Sequence, residues 1–495
     1  MNPLSDIDLT LGTDPQFSDV AAIETRNLAR YRLGMRVLAR SRPGAAERLG
    51  RLCAAGDAEL RPLMYDPVLR NAFENDMTFL ERGTAEPSGF AALLELGVAD
   101  VLDGVGPCER LTRPRVQPWP GRGPAWVWTE LDPATRADEH VAGRLEDLLA
   151  GTMLRESSGH RVVPDADMIA GAGRGAELLA ELLPHAGAGV LPHICLAGFL
   201  RDEGVDGVVN SIAGGDPIPS AFFMAPERAA DPWVAAETLF HEGLHLKLFD
   251  VLRTGSLARD PDVLVPIPWR IQPWSLTRVL FALHVYAHLV LFRAAAAQAG
   301  PELRGRYGEP PATDFVDMPT PGSQAGENGT FTTSAERAAY LGEQAVRVHG
   351  GMLTAEGRRF VRWLLGALEP IEPGIASAAT PAVPVGGPAG GSAGGSVGGA
   401  EAEPRRLDPR GYRQATPVEA FPLPEQRQLV AVSPSPPRFR WLNGHAWLIY
   451  ALCDGADLPT LRDRYVRAAG PGAAGGLERG VAELLAAGLI EPASV

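Results

Sequence analysis

The run His241-Glu242-Gly243-Leu244-His245 sets two imidazoles four residues apart, with a carboxylate beside the first. On a helix such residues project from one face, so both rings can reach a single metal ion. The bland alternative is a surface helix whose histidines only titrate near about 6.5. Which chemistry a metal would perform there depends on the third ligand. In the extended zinc pattern HExxHxxGxxH, Leu248 and Val251 stand where the glycine and third histidine belong, which excludes that form. A glutamate from a second helix is not on offer either, because no Asp or Glu occurs between Asp262 and Glu302. The same stretch supplies His284 and His288, again four apart. His284 is the first choice as third ligand and His288 the second, with Asp250 and Asp262 as minor carboxylate candidates. Core histidines bonded to backbone carbonyls would read the same way.

Arg270 and Arg278 lie on this acid-free, apolar stretch. A guanidinium with no acidic neighbour in sequence is suited to gripping a carboxylate at two points. A 2-oxoacid cosubstrate would offer that carboxylate while chelating the metal through its other end. Pairing of either arginine with a distant Asp or Glu is the competing reading.

The elements that must hold these groups are legible. Asp231 is a ready N-cap, Pro232 fits the first helical position, and apolar residues recur at Val234, Leu244, Leu248 and Val251. The segment Val279 to Ala297 reads as a core helix, since His284, His288 and Arg293 interrupt it too often for a membrane span. Just before the histidine helix, residues 204–225 are rich in β-branched residues, Gly and Pro, and predict one or two strands with a turn at Gly214-Gly215-Asp216. Such a strand could offer an edge to an extended peptide, or could only cover the helix.

Residues 1–204 read as mainly helical, with helices expected at Thr25–Arg40, Gly89–Leu102, Leu145–Leu154 and Gly175–Leu183. Gly171, Gly173 and Gly175 resemble part of a dinucleotide loop, but no strand precedes them, so they are read as a loop before a helix. Residues 205–372 hold the HExxH core. It includes a polar loop at 301–333 with the sequon Asn328-Gly329-Thr330, then helices at Ser334–His349 and, capped by Thr354, up to Leu368. Residues 373–404 are Gly/Ala/Ser/Pro-rich and predict a flexible linker. Residues 405–495 regain structure, with strands at Gln428–Val432 and Arg438–Leu442 and helices at His445–Leu452, Leu458–Ala468 and Leu477–Ala487. A small winged-helix-like module is the inference. The expected fold class is α+β, mainly α: a helical N-terminal region, a metal-helix core with a small sheet, and that C-terminal module.

With 46 basic against 60 acidic side chains in 495 residues, the net charge of −14 argues against a general nucleic-acid or anionic-membrane surface. Cys53, Cys108, Cys195 and Cys453 lie far apart with no CxxC pair, which fits a reducing cytoplasm. The start, MNPLSDIDLT, lacks the basic and apolar regions of a secretory signal. A soluble, cytoplasmic protein is expected, with neither nucleic acid nor membrane as partner.

At these residues a family resemblance becomes visible. AETLFHEGLHLKLFDVL, then PWR at Pro268-Trp269-Arg270, then LHVYAH, then GGMLTAEGRRFVRWLL resembles the HExxH-type, iron- and 2-oxoglutarate-dependent peptide β-hydroxylases of modified-peptide biosynthesis. The likeness covers roughly residues 205–370. It implies Fe(II) on His241, His245 and His284, an arginine, Arg270 or Arg278, on 2-oxoglutarate, and hydroxylation at a side-chain β-carbon of a ribosomally made peptide. The spacing from PWR to the histidine departs from the family pattern by a few residues. In the tail, FRWLNGHAWLIYALCDGADLPTLRDRYV and LERGVAELLAAGLIEP look like modules that hold the leader of such precursors as an added strand.

The expectation is therefore a non-haem iron, 2-oxoglutarate-dependent oxygenase acting on a precursor peptide, leader and core, with Glu242 orienting a ligand or water. The rival is a zinc metallopeptidase with Glu242 as general base. A third reading is a peptide-binding scaffold without activity.

Overall fold

The computed structural model describes residues 3–82, 89–95, 104–112, 115–116, 125–152, 159–201, 203–204, 207–208, 211–311, 331–380, 407, 410–415, 419–434, 437–470 and 475–493. Among the described residues helix outweighs strand, 62% against 13%, so the protein is a mainly-α α+β fold. The chain forms two compact units: Met1–Leu28, Ala54–Asn75 and Ser88–Ala382 make the first, and Ala29–Cys53, Asp76–Pro87 and Val383–Val495 the second.

The first unit is built around a mixed sheet. Its strands are β1 (Arg115–Val116), β2 (Ala125–Val127), β3 (His160–Val162), β4 (Leu196–Arg201), β5 (Ser211–Ala213) and β6 (Ala221–Met224). They run in the order β1-β2-β4-β6-β5, with β3 pairing β4 off this path. β2, β4 and β6 are mutually parallel, and β5 lies antiparallel to β6 at the end of the sheet. The central strands β4 and β6 are buried almost throughout, as parallel strands covered on both faces must be. Four of the six strands precede residue 204, so the sheet and the HExxH helix belong to one unit rather than to separate regions.

Against this sheet lie α3 (Ala166–Leu182) and α4 (Pro232–Leu252). α5 (Leu276–Ala297) packs on α4, and α1 (Pro3–Gly12) and α6 (Ala355–Leu368) pack on α5, while the first part of α2 (Val20–Ser41) belongs to the same unit. α4 starts as its sequence predicts: the Asp231 side chain accepts from Trp233 N and Val234 N, and Pro232 opens the helix. Its surroundings differ from the expected amphipathic pattern. Lys247 and Asp250 are as buried as Leu244 and Leu248, because α4 is the central helix and is packed on nearly all sides.

The glycines read as a loop lie inside α3 instead. A Cβ at Gly171 would meet the Ala229 carbonyl oxygen at 2.0 Å, and one at Gly175 would meet the Cβ of Ala235 at 2.6 Å. They are there so that α3 can approach the start of α4 at backbone contact. α5 is the one described helix long and apolar enough to cross a membrane, yet 83% of its most apolar window is buried inside the protein. Thr354 caps α6 by accepting from Gly357 N. The stretch expected to begin the linker is partly structured, since Ile375–Ala379 forms a 3-10 turn whose Ile375, Ala378 and Ala379 are buried. The rest of the linker, the sequon, and the ends of the helices expected at 89–102 and 145–154 lie outside the described residues.

The second unit contains a three-stranded antiparallel meander and two further short strands. Here the strands are β9 (Tyr412–Gln414), β10 (Glu419–Leu423), β11 (Gln428–Pro434), β12 (Pro437–Leu442) and β13 (Ile490–Pro492). The meander runs β10-β11-β12, and β9 pairs β13. Three helices follow the meander: α7 (Gly444–Leu452), α8 (Leu458–Ala469) and α9 (Leu477–Ala486). Leu429 and Ala431 of β11 face Ile449, Leu461 and Val481 of those helices. By strand alternation Val430 and Val432, equally buried, face the other way. On that side Arg36 and Arg40 of α2 pair with Glu419, and Arg30 stands 4.8 Å over the Phe439 ring. The second unit is therefore completed by residues from near the N-terminus, and does not begin at 405.

Candidate metal centre

α4 brings His241, Glu242 and His245 together. One ligand atom from each lies within 4.8 Å of the others, and the two imidazole centroids are 5.1 Å apart. His241 keeps 38% of its side chain exposed, while the Glu242 side chain keeps only 4%. The position of Glu242 is fixed from outside the helix: Ser211 of β5 donates its hydroxyl to Oε1 at 2.6 Å. Burial, His241 and Arg278 together pull the pKa of His245 down to about 3. At neutral pH its ring therefore carries a free lone pair, the form a metal binds.

The helix itself is anchored at both ends of the motif. One turn before it, Glu237 pairs with Arg293 of α5. One turn after it, Asp250 is buried between Arg70 and His193 Nδ1, the latter at 2.5 Å, and Arg70 also donates to Ser220 at 2.9 Å. These bonds hold the Asp250 carboxylate below its usual pKa, in spite of burial, and occupy both of its oxygens. Asp250 is not a ligand in waiting. Asp262 is exposed, in a turn, and is not in the group with His241 and His245.

α5 is where the structure departs most from expectation. It turns Phe281 toward His245, with ring centroids 5.8 Å apart. His284 is not in the group with His241 and His245. It points into the core, 4.5 Å from the His288 ring, 5.6 Å from Phe360 and 6.5 Å from Trp363. Both its nitrogens lack a well-formed hydrogen bond among the described residues. Burial holds it neutral, well below its normal pKa. His288 donates Nδ1–H to the His284 carbonyl at 2.8 Å, the ordinary core arrangement. A helix places position 284 about 60° round from 281, enough to carry it from the site to the core.

The arginines divide. Arg278, in the first turn of α5, lies close enough to depress the His245 pKa and stands 4.7 Å over the Trp274 ring. Its side chain reaches solvent, its pKa is lowered by partial desolvation and by Arg270, and no carboxylate pairs with it among the described residues. Arg270 stands 6.0 Å from the same ring. Both are set by a short hairpin, β7 (Leu264–Val265) and β8 (Trp274–Ser275), pinned by the fully buried Trp269. Sequence reading missed Ser211 and Phe281, for neither spacing nor residue type marks them.

Fold and site together define a mainly helical α+β protein with a candidate mononuclear metal centre on its central helix. No protein-family model matches the chain. No curated protein is significantly similar to it.

Proposed function

We propose that the protein is a cytoplasmic, non-haem iron, 2-oxoglutarate-dependent oxygenase that hydroxylates a side-chain carbon of a ribosomally made peptide. The observation that carries this reading is Arg278: a solvent-reaching guanidinium near His245 with no carboxylate partner among the described residues. Such a group is stabilised by an incoming carboxylate, and 2-oxoglutarate brings one at each end. The donors suit the metal. Two imidazoles and one carboxylate, His241, His245 and Glu242, are a donor set that would hold Fe(II) and leave positions open for small molecules. When bound, Fe(II) and 2-oxoglutarate supply with O2 the oxidising power to turn C–H into C–OH, releasing succinate and CO2. The chain's own work is to hold the metal through α4, to fix Glu242 through Ser211, and to orient the keto-acid through Arg278. Phe281 and Phe249, 4.6 Å apart at centroid, keep water from that side.

The peptidase reading needs three protein ligands and a free Glu242 as base. With His284 in the core, no third ligand other than Glu242 joins the pair among the described residues. The second unit would hold the leader of the precursor along β12, whose outer edge is unpaired among the described strands and carries Arg438 and Arg440. No disulfide joins the four cysteines, which accords with a reducing cytoplasm.

The test is anaerobic loading with Fe(II) and 2-oxoglutarate, then air and a candidate peptide, with the peptide weighed and succinate measured. Gain of one oxygen with matching succinate, abolished by His241→Ala, is the expected result. Peptide cleavage instead would install the hydrolytic reading.

A further inference from the structure

We infer that the outer edge of β5 receives an extended peptide as an added strand, drawing alternate residues of that peptide past His241 and His245. Among the described strands β5 has a single neighbour, β6. Ser211, Ile212 and Ala213 oppose Met224, Phe223 and Phe222, and Gly214 N donates to Ala221 O at 2.8 Å. The antiparallel alternation then turns the N–H and C=O of Ile212 toward β6 and those of Ser211 and Ala213 outward. Outward-facing backbone on an end strand is a template for strand addition.

A second observation ties this edge to the metal site. The Ser211 side chain donates to Glu242 Oε1 at 2.6 Å, so the edge stands one hydrogen bond from the HExxH motif. Three half-buried residues are too little surface for a stable pairing of two copies of this chain, which needs roughly 1,200 Å² or more. They suffice to fix the register of a peptide whose side chains are held elsewhere. Because β5 is followed directly by the turn that touches Phe249, where a Cβ on Gly215 would lie 3.2 Å from that ring, the strand cannot retreat from α4 without disturbing the aromatic wall.

The inference rests on the metal site being one that acts on peptides, and extends it to how the peptide lies. Its test therefore reads binding with neither Fe(II) nor 2-oxoglutarate present, so it can fail while the oxygenase assay succeeds, and the reverse. The full-length protein is screened on an array of random acetylated, amidated decapeptides, and the tightest binder is remade with an N-methyl group at each residue in turn. Losses of about five- to tenfold are expected at alternate residues across the paired stretch, the cost of one backbone hydrogen bond each. The same peptide should slow amide exchange at Ala213 in the unaltered protein. Ala213→Pro removes one outward N–H and spares the bonds to β6; it should weaken peptide binding by a similar factor, with Co(II) binding and unfolding midpoint unchanged. No binder on the array, losses without alternation, or protection confined to β12 would overturn the inference.

Discussion

Glu242 decides the chemistry at the scale of single residues. As a metal ligand it should be felt in binding: Glu242→Gln is expected to weaken Co(II) affinity by more than about 100-fold, beyond the roughly 10–100-fold typical of a residue that only orients a ligand, measured by titration of the cobalt absorption bands. As a general base it would leave metal affinity near that of the unaltered protein and abolish only turnover. Arg278 makes a parallel prediction. Arg278→Ala should lower 2-oxoglutarate affinity by about 10–100-fold in calorimetry, the worth of charge-assisted hydrogen bonds, while Arg270→Ala costs less. Equal losses would mean that both guanidinium groups grip the keto-acid.

His284 and His288 give a prediction of a different kind. Burial holds both neutral in the fold, His288 at about 3 and His284 well below its normal pKa. In the unfolded chain each titrates near 6.5. Below that pH the unfolded state takes up protons that the fold refuses, so each histidine makes stability fall as pH falls from about 6.5 toward 3. The slope is at most about 1.4 kcal/mol per pH unit for each. Asp66 works in the opposite sense: burial raises its pKa to about 6, so its contribution grows as pH falls through the same window. The histidine share is therefore read as a difference. Urea unfolding of the unaltered protein and of His288→Gln, at pH 7.5 and pH 5, should show a smaller acid loss for the variant. Identical losses would place a charged imidazole in the core.

Among the elements, α4 is the one that organises the others, and its position is set by contacts the residue pattern conceals. Gly175 lets α3 lie on it at backbone distance, so Gly175→Ala drives a methyl to within 2.9 Å of the Ala235 carbonyl carbon and the Ala236 nitrogen. Backbone cannot give way as a side chain does. The substitution should cost about 1–3 kcal/mol in urea unfolding. Gly143, in the helix Arg136–Thr152, meets nothing within 4 Å. Gly143→Ala should stabilise by up to about 1 kcal/mol, on helix propensity alone. If both substitutions behave alike, close packing is not why α3 carries glycines.

For the whole molecule, the division into units matters more than the domain limits suggested by composition. The β10-β11-β12 sheet buries Leu429 and Ala431 on one face and Val430 and Val432 on the other. The second face is served by residues of α2 near the N-terminus. Residues 405–495 taken alone would bare that face. Such a fragment should self-associate, or bind a hydrophobic dye, in sedimentation and fluorescence measurements where the full chain does not. A monodisperse, dye-free fragment would show that α2 is dispensable. It follows that deleting residues 405–495 is a poor probe of leader binding, because it strips α2 of its partner as well.

Local sequence fixed what depends on local physics. The cap at Asp231, the proline after it and the four-residue spacing of His241 and His245 suffice to form a helix and put two rings on one face. Thr354 and the β12 and α8 boundaries were legible for the same reason, since caps and alternation act within a few residues. What fell to tertiary structure was rotation and partnership. Whether α5 shows His284 or Phe281 to His245 is a matter of some 60° about its axis, decided by how its apolar face packs against α4 and α6, and no periodicity carries that angle. The union of residues 29–53 with the C-terminal sheet, and the bond from Ser211 to Glu242, were likewise closed to the sequence. They join groups far apart along the chain, and only the folded core brings those together.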